Sequence, residues 1–356
     1  MDPHQIKTPP MKDLTIDNIT DNTVRVNSQG DNERLTYVME RLVTHLHDFA
    51  RETRLSTKEW MAALDFLVRV GQISSDVRHE IIDAVGKEFI LLSDVLGLSL
   101  LVDAIDHPKP PASTEGSVLG PFHTHDAETM APGDQMSHDP QGDPCTVLCT
   151  VKDASGKPIP DVKVDIWEAD STGHYDVQYD GRGEPDGRCI MKSDSNGEFW
   201  FQATVPVPYP IPHDGPVGQL LELLKRHPWR PAHMHFMFQK AGWDHLITFV
   251  FPTPYAGDSI LTSSCFSALY LRGDPYESSD AVFGVKQSLV VDFEPATAEV
   301  AKKYSVPEGS KVLKYDFVLV SERETEELRD RNALKALKAL GMKAKLLGHL
   351  PVPDLD

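Results

Sequence analysis

The chain has 356 residues, of which 25% are charged and 40% hydrophobic, proportions that are ordinary for a folded globular protein. Its formal net charge of −19 at pH 7 argues against nucleic acid or an anionic membrane as a partner, because both attract basic surfaces. The 4 cysteines do not form a disulfide framework or a CxxC metal site, and no apolar run is long enough to span a bilayer. We therefore expect a cytoplasmic protein.

The first third of the chain is predicted to be helical after a polar start. Residues 1–30 contain two adjacent prolines and scattered Asp, Asn and Thr, which predicts a flexible tail. Over 32–53 apolar residues recur with a helical period, and the capping box Ser56-x-x-Glu59 opens a second helix. An apolar pattern over 76–101 predicts a third helix. Together these segments predict a helical domain over 31–107.

After the proline-rich break that follows His107, the hydrophobic period becomes that of a strand. Five short runs are separated by Gly, Pro and Asp turns: CTVLCTVKD, VKVDIWEAD, GEFWFQATV, AHMHFMFQK and HLITFVF. Short strands with regular turn signals are typical of an all-β sandwich. We therefore expect a β-sandwich domain over 113–320, preceded by the α-helical domain. A charged amphipathic pattern predicts a helical C-terminal tail over 321–356.

The run AHMHFMF carries His233 and His235 inside a strand that is predicted to be buried. Residues two apart on a strand point to the same face of the sheet. A buried imidazole needs a partner, since leaving it unsatisfied costs on the order of a few kcal/mol. The pattern alone leaves two interpretations open: core histidines bonded to the backbone, or a metal site.

Four separated motifs resemble, in the right order, those of intradiol ring-cleavage dioxygenases. They are LGPFH at 119–123, DASGKPIPDVKVDIWEADSTGHYDVQ at 153–178, PVPYPIPHDGPVG followed by HPWRPAHMHF within 206–236, and RGDPYESSDAVFGVK at 272–286. The resemblance covers 31–320 apart from one insertion, and the helical domain before the sandwich matches the family's layout. It implies a homodimer formed through the helical domain.

The resemblance also implies one ferric ion per subunit, held by Tyr175, Tyr209, His233 and His235. A trivalent cation favours the phenolate form of tyrosine, and two anionic oxygens with two imidazoles suit Fe(III). An aromatic diol or triol would then bind through two oxygens, replace Tyr209, and be opened by dioxygen between the hydroxylated carbons. Arg230 matches the family arginine that stabilises developing negative charge. A salt bridge within the sandwich is its alternative role.

Within the family, the motifs are more similar to hydroxyquinol 1,2-dioxygenases than to catechol 1,2-dioxygenases. The implied pocket positions are Leu91, Asp94, Val118, Gly120, Phe122, Ile211 and Pro212. Most are apolar and would sandwich a flat ring, whereas the carboxylate of Asp94 needs a donor that a third ring hydroxyl supplies. We expect cleavage of benzene-1,2,4-triol to 3-hydroxy-cis,cis-muconate, the enol form of maleylacetate. Cleavage of catechol to cis,cis-muconate is the alternative.

Two interpretations from other classes stay open. A transthyretin-like sandwich module that only binds or supports would share Gly156, Pro158 and Gly197 and would need no iron. A cupin-type Fe(II) oxygenase also uses an HxH motif. However, the carboxylate and third histidine expected at that family's spacing are not found in this sequence.

The segment 249–267 departs from the family pattern, in which the strand at 245–248 continues directly at Ala268. The segment is apolar and interrupts a strand that should be continuous. We interpret it as an in-frame unspliced intron of a eukaryotic gene model, which the working enzyme lacks.

Overall fold

The computed structural model describes residues 8–11, 13–73, 90–179, 181, 183–244, 265–339, 344–347 and 350–353. Its helices are α1 (Ile19–Asn27), α2 (Glu33–Thr53), α3 (Thr57–Ile73), α4 (Leu98–Asp106), α5 (Pro216–Leu223), α6 (Ala298–Tyr304) and α7 (Glu322–Ala339). Its strands are β1 (Pro144–Asp153), β2 (Lys163–Glu168), β3 (Arg188–Lys192), β4 (Glu198–Thr204), β5 (Tyr209–Pro210), β6 (Trp229–Arg230), β7 (His233–Gln239), β8 (Cys265–Leu271), β9 (Val290–Val291), β10 (Phe293–Pro295), β11 (Lys311–Leu319), β12 (Ala344–Leu347) and β13 (Leu350–Pro353). Short 3₁₀ helices cover Asp176–Gln178 and Gln287–Leu289.

The helices predicted over 32–53 and after Ser56 are confirmed, and side chains cap both. The carboxamide oxygen of Asn32 accepts a hydrogen bond from the Leu35 amide at 3.0 Å, which begins α2. At α3, the Ser56 amide donates to the Glu59 carboxylate at 3.0 Å, and the Glu59 amide donates to the Ser56 hydroxyl at 3.3 Å. These are the reciprocal bonds of a capping box, which satisfy amides that the helix itself leaves free.

The flexible tail predicted over 1–30 is wrong where helix α1 forms. Leu14 and Ile19 are buried in the apolar cluster that also contains Ala50 of α2 and Leu100 of α4. The guanidinium of Arg51 donates to the Ile16 carbonyl. The polar composition of this segment predicted disorder, but a few well-placed apolar side chains bury enough surface to order it.

The single helix predicted over 76–101 is wrong in the part that the structure describes, because the helical conformation is interrupted after Val95. Residues 90–95 are helical, and α4 begins only at Leu98. Gly97 has a φ of +70°, a left-handed conformation that glycine adopts readily and that interrupts a helix. Residues 74–89, on which the rest of this prediction falls, lie outside the described ranges.

Two sheets pack face to face, which confirms the predicted sandwich. One has the strand order β10-β11-β1-β4, with β1 and β11 parallel, and the other has the order β3-β2-β7-β8-β9. Their facing side chains form one apolar core, to which Phe201 and Phe317 contribute from the first sheet and Ile166 and Phe236 from the second. The predicted runs beginning at 145, 162, 197 and 232 all contain strands, whereas HLITFVF lies outside the described residues.

The helical tail predicted over 321–356 is wrong beyond Ala339. After α7, strands β12 and β13 form an antiparallel pair, with Lys345 opposite Val352. Pro351 and Pro353 lack an amide hydrogen and cannot continue a helix. Within the described ranges, no helix is both long enough and apolar enough to cross a bilayer.

Most of the segment 249–267 cannot be compared with the prediction made for it, because 245–264 lie outside the described residues. Its last three residues belong to β8, which runs without interruption from Cys265 to Leu271. In this strand Ser267 lies opposite Phe236 of β7. The strand that borders β7 is therefore continuous through Ala268.

Candidate metal centre

The four predicted ligands come together at one end of the five-stranded sheet, and each is at most 2% exposed. His233 and His235 point to one face of β7, as the strand period requires, with ring centroids 4.6 Å apart. The pairing of β5 with β6 brings Tyr209 to this face, and its ring centroid lies 5.3 Å from that of His233. Tyr175 completes the group at 5.2 Å from Tyr209.

The turn that follows β2 carries Tyr175 into the site, and this turn depends on Gly173. Gly173 has a φ of +80°. A methyl group there would lie 3.2 Å from both the Pro208 carbonyl oxygen and the Tyr209 Cβ. Only glycine therefore combines this backbone conformation with so close an approach to the strand of the second tyrosine.

The two imidazoles are oriented so that their Nε2 atoms face each other and the Tyr209 hydroxyl. Nδ1–H of His233 donates to the Pro231 carbonyl at 2.6 Å, so Nε2 of the neutral ring carries the lone pair. That Nε2 lies 3.0 Å from Nε2 of His235 and 3.4 Å from the Tyr209 hydroxyl. Burial lowers the pKa of both rings well below the ordinary value, with Arg230 adding to the effect. Neutral imidazoles are the form that binds a metal.

The ring of His235 is held by the register of the sheet. Trp167 on β2 lies directly opposite His235 on β7, and the two rings stack with centroids 4.7 Å apart and an interplanar angle of 9°. Flat stacking limits rotation of the imidazole about its side-chain torsions. The orientation of this predicted ligand is therefore set before any metal binds.

The hydroxyl of Tyr175 is buried and, among the residues that the structure describes, has no hydrogen-bond partner. Burial raises the pKa of this phenol well above its ordinary value, and the neighbouring Tyr209 raises it further. A buried hydroxyl without a partner is destabilising, and a bound cation would supply the partner and favour the phenolate. This oxygen is the strongest sign in the fold that a metal belongs here.

Phe122 and Arg188 secure the position of the Tyr175 ring. Phe122 stacks on Tyr175 with ring centroids 4.5 Å apart. Arg188 donates to the carboxylate of Asp176, the next residue along the chain, at 2.9 Å and to the Phe122 carbonyl at 3.2 Å. One buried guanidinium thus connects the side chain that follows Tyr175 with the backbone of Phe122.

Arg230 forms the salt bridge that was considered as its alternative role, and it also contacts one of the predicted ligands. Its Nη1 donates to the Tyr209 hydroxyl at 3.2 Å, and its Nε donates to the carboxylate of Asp280 at 3.2 Å. Although burial lowers it, the pKa of Arg230 is held well above its ordinary value by Asp280, Tyr209 and Tyr270. The site therefore contains a permanent positive charge next to one of the two phenols.

The apolar pocket positions fall into two groups. Leu91, Val118 and Ile211 share one buried cluster, and Pro212 follows Ile211 in a half-buried position. Phe122 instead lies against Tyr175, in the cluster of the sandwich core. The structure therefore brings three of the seven predicted pocket residues into one buried apolar cluster, which also contains Ala50 of α2 and Leu100 of α4.

Gly120 and Asp94 are the two pocket positions without an apolar side chain. Gly120 has a φ of +73°, and a methyl group on it would lie 3.7 Å from both Arg230 Nη1 and His235 Nε2. Asp94 is 5% exposed, and burial raises its pKa to about 7, against the lowering effects of Ser99 and Arg230. Asp94 is therefore a buried carboxyl within electrostatic range of the site's arginine.

The donor set fits a ferric ion. Among the described residues, no group of three or more His, Cys, Asp or Glu side chains forms a metal cluster, so the four-residue set is distinguished by its two tyrosines. Hard anionic oxygens and imidazoles favour Fe(III) over softer or divalent ions. The Nε2 lone pair of His233, the adjacent imidazole of His235 and a phenol oxygen without a partner among the described residues match that chemistry.

Fold and site together define a class of protein, and comparison with known proteins agrees. The family model described as "Catechol dioxygenase N terminus" matches residues 32–114, and the model described as "Dioxygenase" matches residues 118–321. The chain belongs to the intradiol ring-cleavage dioxygenase family, whose members are non-haem iron enzymes. The family expected from the four motifs is confirmed, which sets aside the transthyretin-like module and the cupin-type oxygenase.

Three relatives illustrate the relationship. The chain is 65% identical over 356 residues to the intradiol ring-cleavage dioxygenase hqdA of Aspergillus niger, covering 100% of both chains. It is 40% identical over 266 residues to a hydroxyquinol 1,2-dioxygenase of a Rhizobium species, covering 74% of this chain and 81% of the relative. The solved hydroxyquinol 1,2-dioxygenase of Pseudomonas putida DLL-E4 superposes with a TM-score of 0.59 at 37% identity, covering 86% of this chain and 99% of that one.

Proposed function

We propose that this enzyme opens the ring of benzene-1,2,4-triol with dioxygen, between the two adjacent hydroxylated carbons. The product is 3-hydroxy-cis,cis-muconate, the enol form of maleylacetate. The observation that carries this assignment is the buried carboxyl of Asp94. Asp94 lies three residues after Leu91, which belongs to a buried apolar cluster. The relatives from Rhizobium and Pseudomonas putida, which bear the name hydroxyquinol 1,2-dioxygenase, support the same substrate.

The proposed cofactor is one Fe(III) per subunit, held by Tyr175, Tyr209, His233 and His235. When bound, it would acidify and chelate the two adjacent ring hydroxyls of the substrate and prepare the ring for dioxygen. The protein supplies a dry site and fixed ligands. Trp167 limits the rotation of His235, and the Pro231 carbonyl fixes the tautomer of His233.

The two tyrosines have different tasks in this proposal. The hydroxyl of Tyr209 already accepts a hydrogen bond from Arg230, so a second partner is at hand when substrate displaces it. Its phenolate oxygen can then take a proton from the incoming hydroxyl, which is general-base work. Tyr175 has no such second partner among the described side chains, so it stays bound throughout.

Asp94 sets the preference between triol and catechol. Its carboxyl lies buried beside Ser99 and needs donors to satisfy its oxygens. The third hydroxyl of benzene-1,2,4-triol can donate to it, and catechol has no group at that ring position. Above its pKa of about 7 the carboxyl is ionised. A hydrogen bond to a charged group then contributes about 1.5–3 kcal/mol, which corresponds to roughly ten- to a hundredfold in discrimination.

Product analysis tests the assignment. Iron-loaded protein is incubated with benzene-1,2,4-triol or with catechol, in air and under argon, and the products are identified by chromatography and mass spectrometry. We expect the oxygen-dependent appearance of 3-hydroxy-cis,cis-muconate, with catechol consumed more slowly. Efficient conversion of catechol to cis,cis-muconate, with the triol left unused, would support the catechol 1,2-dioxygenase alternative instead.

We further propose that the enzyme is a cytoplasmic homodimer. Val38, Leu42 and Phe49 lie on one side of α2, because they are spaced four and seven residues apart along the helix. Their exposed fractions are 41%, 43% and 52%. An exposed apolar stripe of this kind supports a contact with a second copy. Light scattering of the wild type and of Leu42→Glu tests the dimer: a monomeric wild type would contradict it.

The proposed cytoplasmic location is supported by the cysteines. Cys145, Cys149 and Cys189 are free, which suits a reducing compartment.

A further inference from the structure

The guanidinium of Arg230 is 1% exposed, and its two edges serve different partners. On one edge, Nε donates to Oδ1 of Asp280 at 3.2 Å and Nη2 approaches Oδ2 at 3.5 Å. On the other edge, Nη1 donates to the Tyr209 hydroxyl at 3.2 Å. The carboxylate of Asp280 therefore pairs side-on with Nε and Nη2 of the guanidinium, and Nη1 is available to the phenol of Tyr209.

Asp280 is itself held in place by the turn in which it lies. Its Oδ1 accepts a hydrogen bond from the Val282 amide at 3.3 Å, and its Oδ2 accepts one from the Gly284 amide at 2.9 Å. Asp280 is 1% exposed. Because both oxygens are bonded to backbone of the same segment, the carboxylate has little freedom to rotate.

The space around this ion pair is shaped for it. A methyl group at Gly284 would lie 2.5 Å from the Tyr270 hydroxyl, 2.8 Å from Arg230 Nη2 and 3.0 Å from Asp280 Oδ2. The Ser117 hydroxyl closes the cradle, at 2.8 Å from the Tyr270 hydroxyl and bonded to the Gly284 carbonyl at 2.9 Å. Nη2 of Arg230 also donates to Tyr270 at 3.0 Å.

We propose that Asp280 is a positioning residue for ring cleavage, which holds Arg230 with Nη1 on the oxygen of Tyr209. This inference rests on the proposed function. A long arginine side chain has several torsions, and without the side-on carboxylate its guanidinium would turn to other acceptors in the same cavity. Tyr209 would then lose its donor at the step in which its oxygen leaves the metal. In this role Asp280 acts on Tyr209 through Arg230.

A purely structural role for Asp280 predicts a different experimental outcome. If the carboxylate only neutralised a buried cation, its loss would lower the melting temperature and the yield of iron-loaded protein. The turnover of the protein that still holds iron would be unchanged. A positioning role instead lowers kcat per bound iron and leaves KM nearly unaltered, since the contact matters most in the transition state.

The experiment compares Asp280→Asn, Arg230→Met and the double variant with the wild type, using benzene-1,2,4-triol and normalising to bound iron. We expect kcat to fall by about 10- to 100-fold in Asp280→Asn, the scale of one hydrogen bond to a charged group. In the Arg230→Met background the same change should lower kcat no further. Equal losses in both backgrounds, or a kcat within about twofold of the wild type, would overturn the inference.

Asp106→Asn is the matched control. Asp106 is also a buried carboxylate that accepts from an arginine and from a backbone amide, Arg329 at 3.2 Å and Thr57 at 2.9 Å. This substitution should change stability and leave kcat per iron unaltered. Gly284→Ala is a second route, because it displaces Nη2 and keeps the carboxylate. It carries the test alone if Asp280→Asn does not fold, and a wild-type kcat there would contradict the inference.

A readout without turnover separates this inference from the proposed function. The visible tyrosinate-to-iron absorption of the resting protein depends on the hydrogen bond that Tyr209 accepts. Asp280→Asn and Arg230→Met should shift it in the same direction, and Asp106→Asn should not shift it. A wild type that cleaves neither the triol nor catechol would refute the proposed function. An unshifted band in Asp280→Asn would refute the positioning role.

Discussion

The hydroxyl of Tyr209 accepts a hydrogen bond from Nη1 of Arg230 at 3.2 Å. The hydroxyl of Tyr175, the other phenol of the set, has no partner within the described part of the chain. The two tyrosines are therefore unequal before any metal or substrate binds. One has an alternative partner for its oxygen, and the other would depend on the proposed metal.

This inequality predicts different outcomes for two conservative substitutions. Tyr175→Phe should lose most of the bound iron or its colour, because the ligand that stays bound is gone. Tyr209→Phe should retain iron and turn over slowly, because the remaining three ligands hold the ion but no phenolate oxygen accepts the substrate proton. Iron content by mass spectrometry and kcat per iron are the measurements. Equal iron and equal activity in the wild type and both variants would end the ligand assignment.

The iron-free proteins provide a control for folding. Tyr175→Phe removes a buried hydroxyl that lacks a partner, so the variant should be as stable as the wild type or more stable by about 1 kcal/mol. A large loss of stability in the iron-free variant would mean that the hydroxyl has a structural partner, and the loss of iron would then need another explanation.

The choice of substrate gives the second prediction. Asp94→Ala should lower kcat/KM for benzene-1,2,4-triol by roughly ten- to a hundredfold and change kcat/KM for catechol far less. The reason is that only the triol has a hydroxyl to donate to the carboxylate. Leu91→Ala is a useful comparison, since an apolar wall residue should affect both substrates. If the wild type prefers catechol, or if Asp94→Ala keeps the same preference for the triol, the role of Asp94 is wrong.

The pKa of Asp94 gives the third prediction. Burial raises it from 3.8 to about 7, so between these values only the folded state holds the proton. The free energy of unfolding should therefore fall as pH rises through this window, by about 1.4 kcal/mol per pH unit relative to Asp94→Asn, and level off above it. Denaturant titrations of the two iron-free proteins measure the difference, in which the other titrating groups cancel. Parallel curves would contradict the raised pKa.

The sequence predicted the features that are recorded in motifs along the chain and missed those that depend on contacts between distant segments. The ligands Tyr175, Tyr209, His233 and His235 lie in motifs whose order is readable along the chain, and the structure brings all four together. The break at Gly97 and the order of α1 depend on apolar contacts between distant segments, which a local period or composition does not register. Composition over 1–30 therefore predicted a tail where Ile19 is buried.

Asp280 illustrates the same limit within the site. Its motif was recognised, but no role followed for it, because the partner Arg230 is 50 residues away and the spacing carries no signal. One clue was available: a lone carboxylate within the apolar stretch DAVFGV, where a buried charge requires a partner. Tyr270 and Arg188 had no comparable signal, since their roles come from the pairing of strands that meet only in the folded chain.

The interpretation of the segment 249–267 as an unspliced intron gives the fourth prediction. Deleting the segment would join Thr248 to Ala268 and place a threonine where Ser267 now lies. The Ser267 hydroxyl donates to the Glu115 carbonyl at 3.1 Å, and a threonine hydroxyl can make the same bond. The deletion variant should therefore fold and turn over at least as well as the full chain. Peptides from within 249–267 in the natural protein, found by mass spectrometry, would refute the intron interpretation.

The visible spectrum of the purified protein, recorded with and without benzene-1,2,4-triol in the absence of oxygen, tests whether the two tyrosines bind a ferric ion. Two tyrosinates on a ferric ion at Tyr175 and Tyr209 predict a deep red protein with a broad charge-transfer band. Addition of the triol should shift that band, because its oxygens bind the iron and Tyr209 is displaced. A protein that binds iron and is colourless, or whose spectrum does not change with the triol, would contradict the assignment of Tyr175 and Tyr209 as ligands.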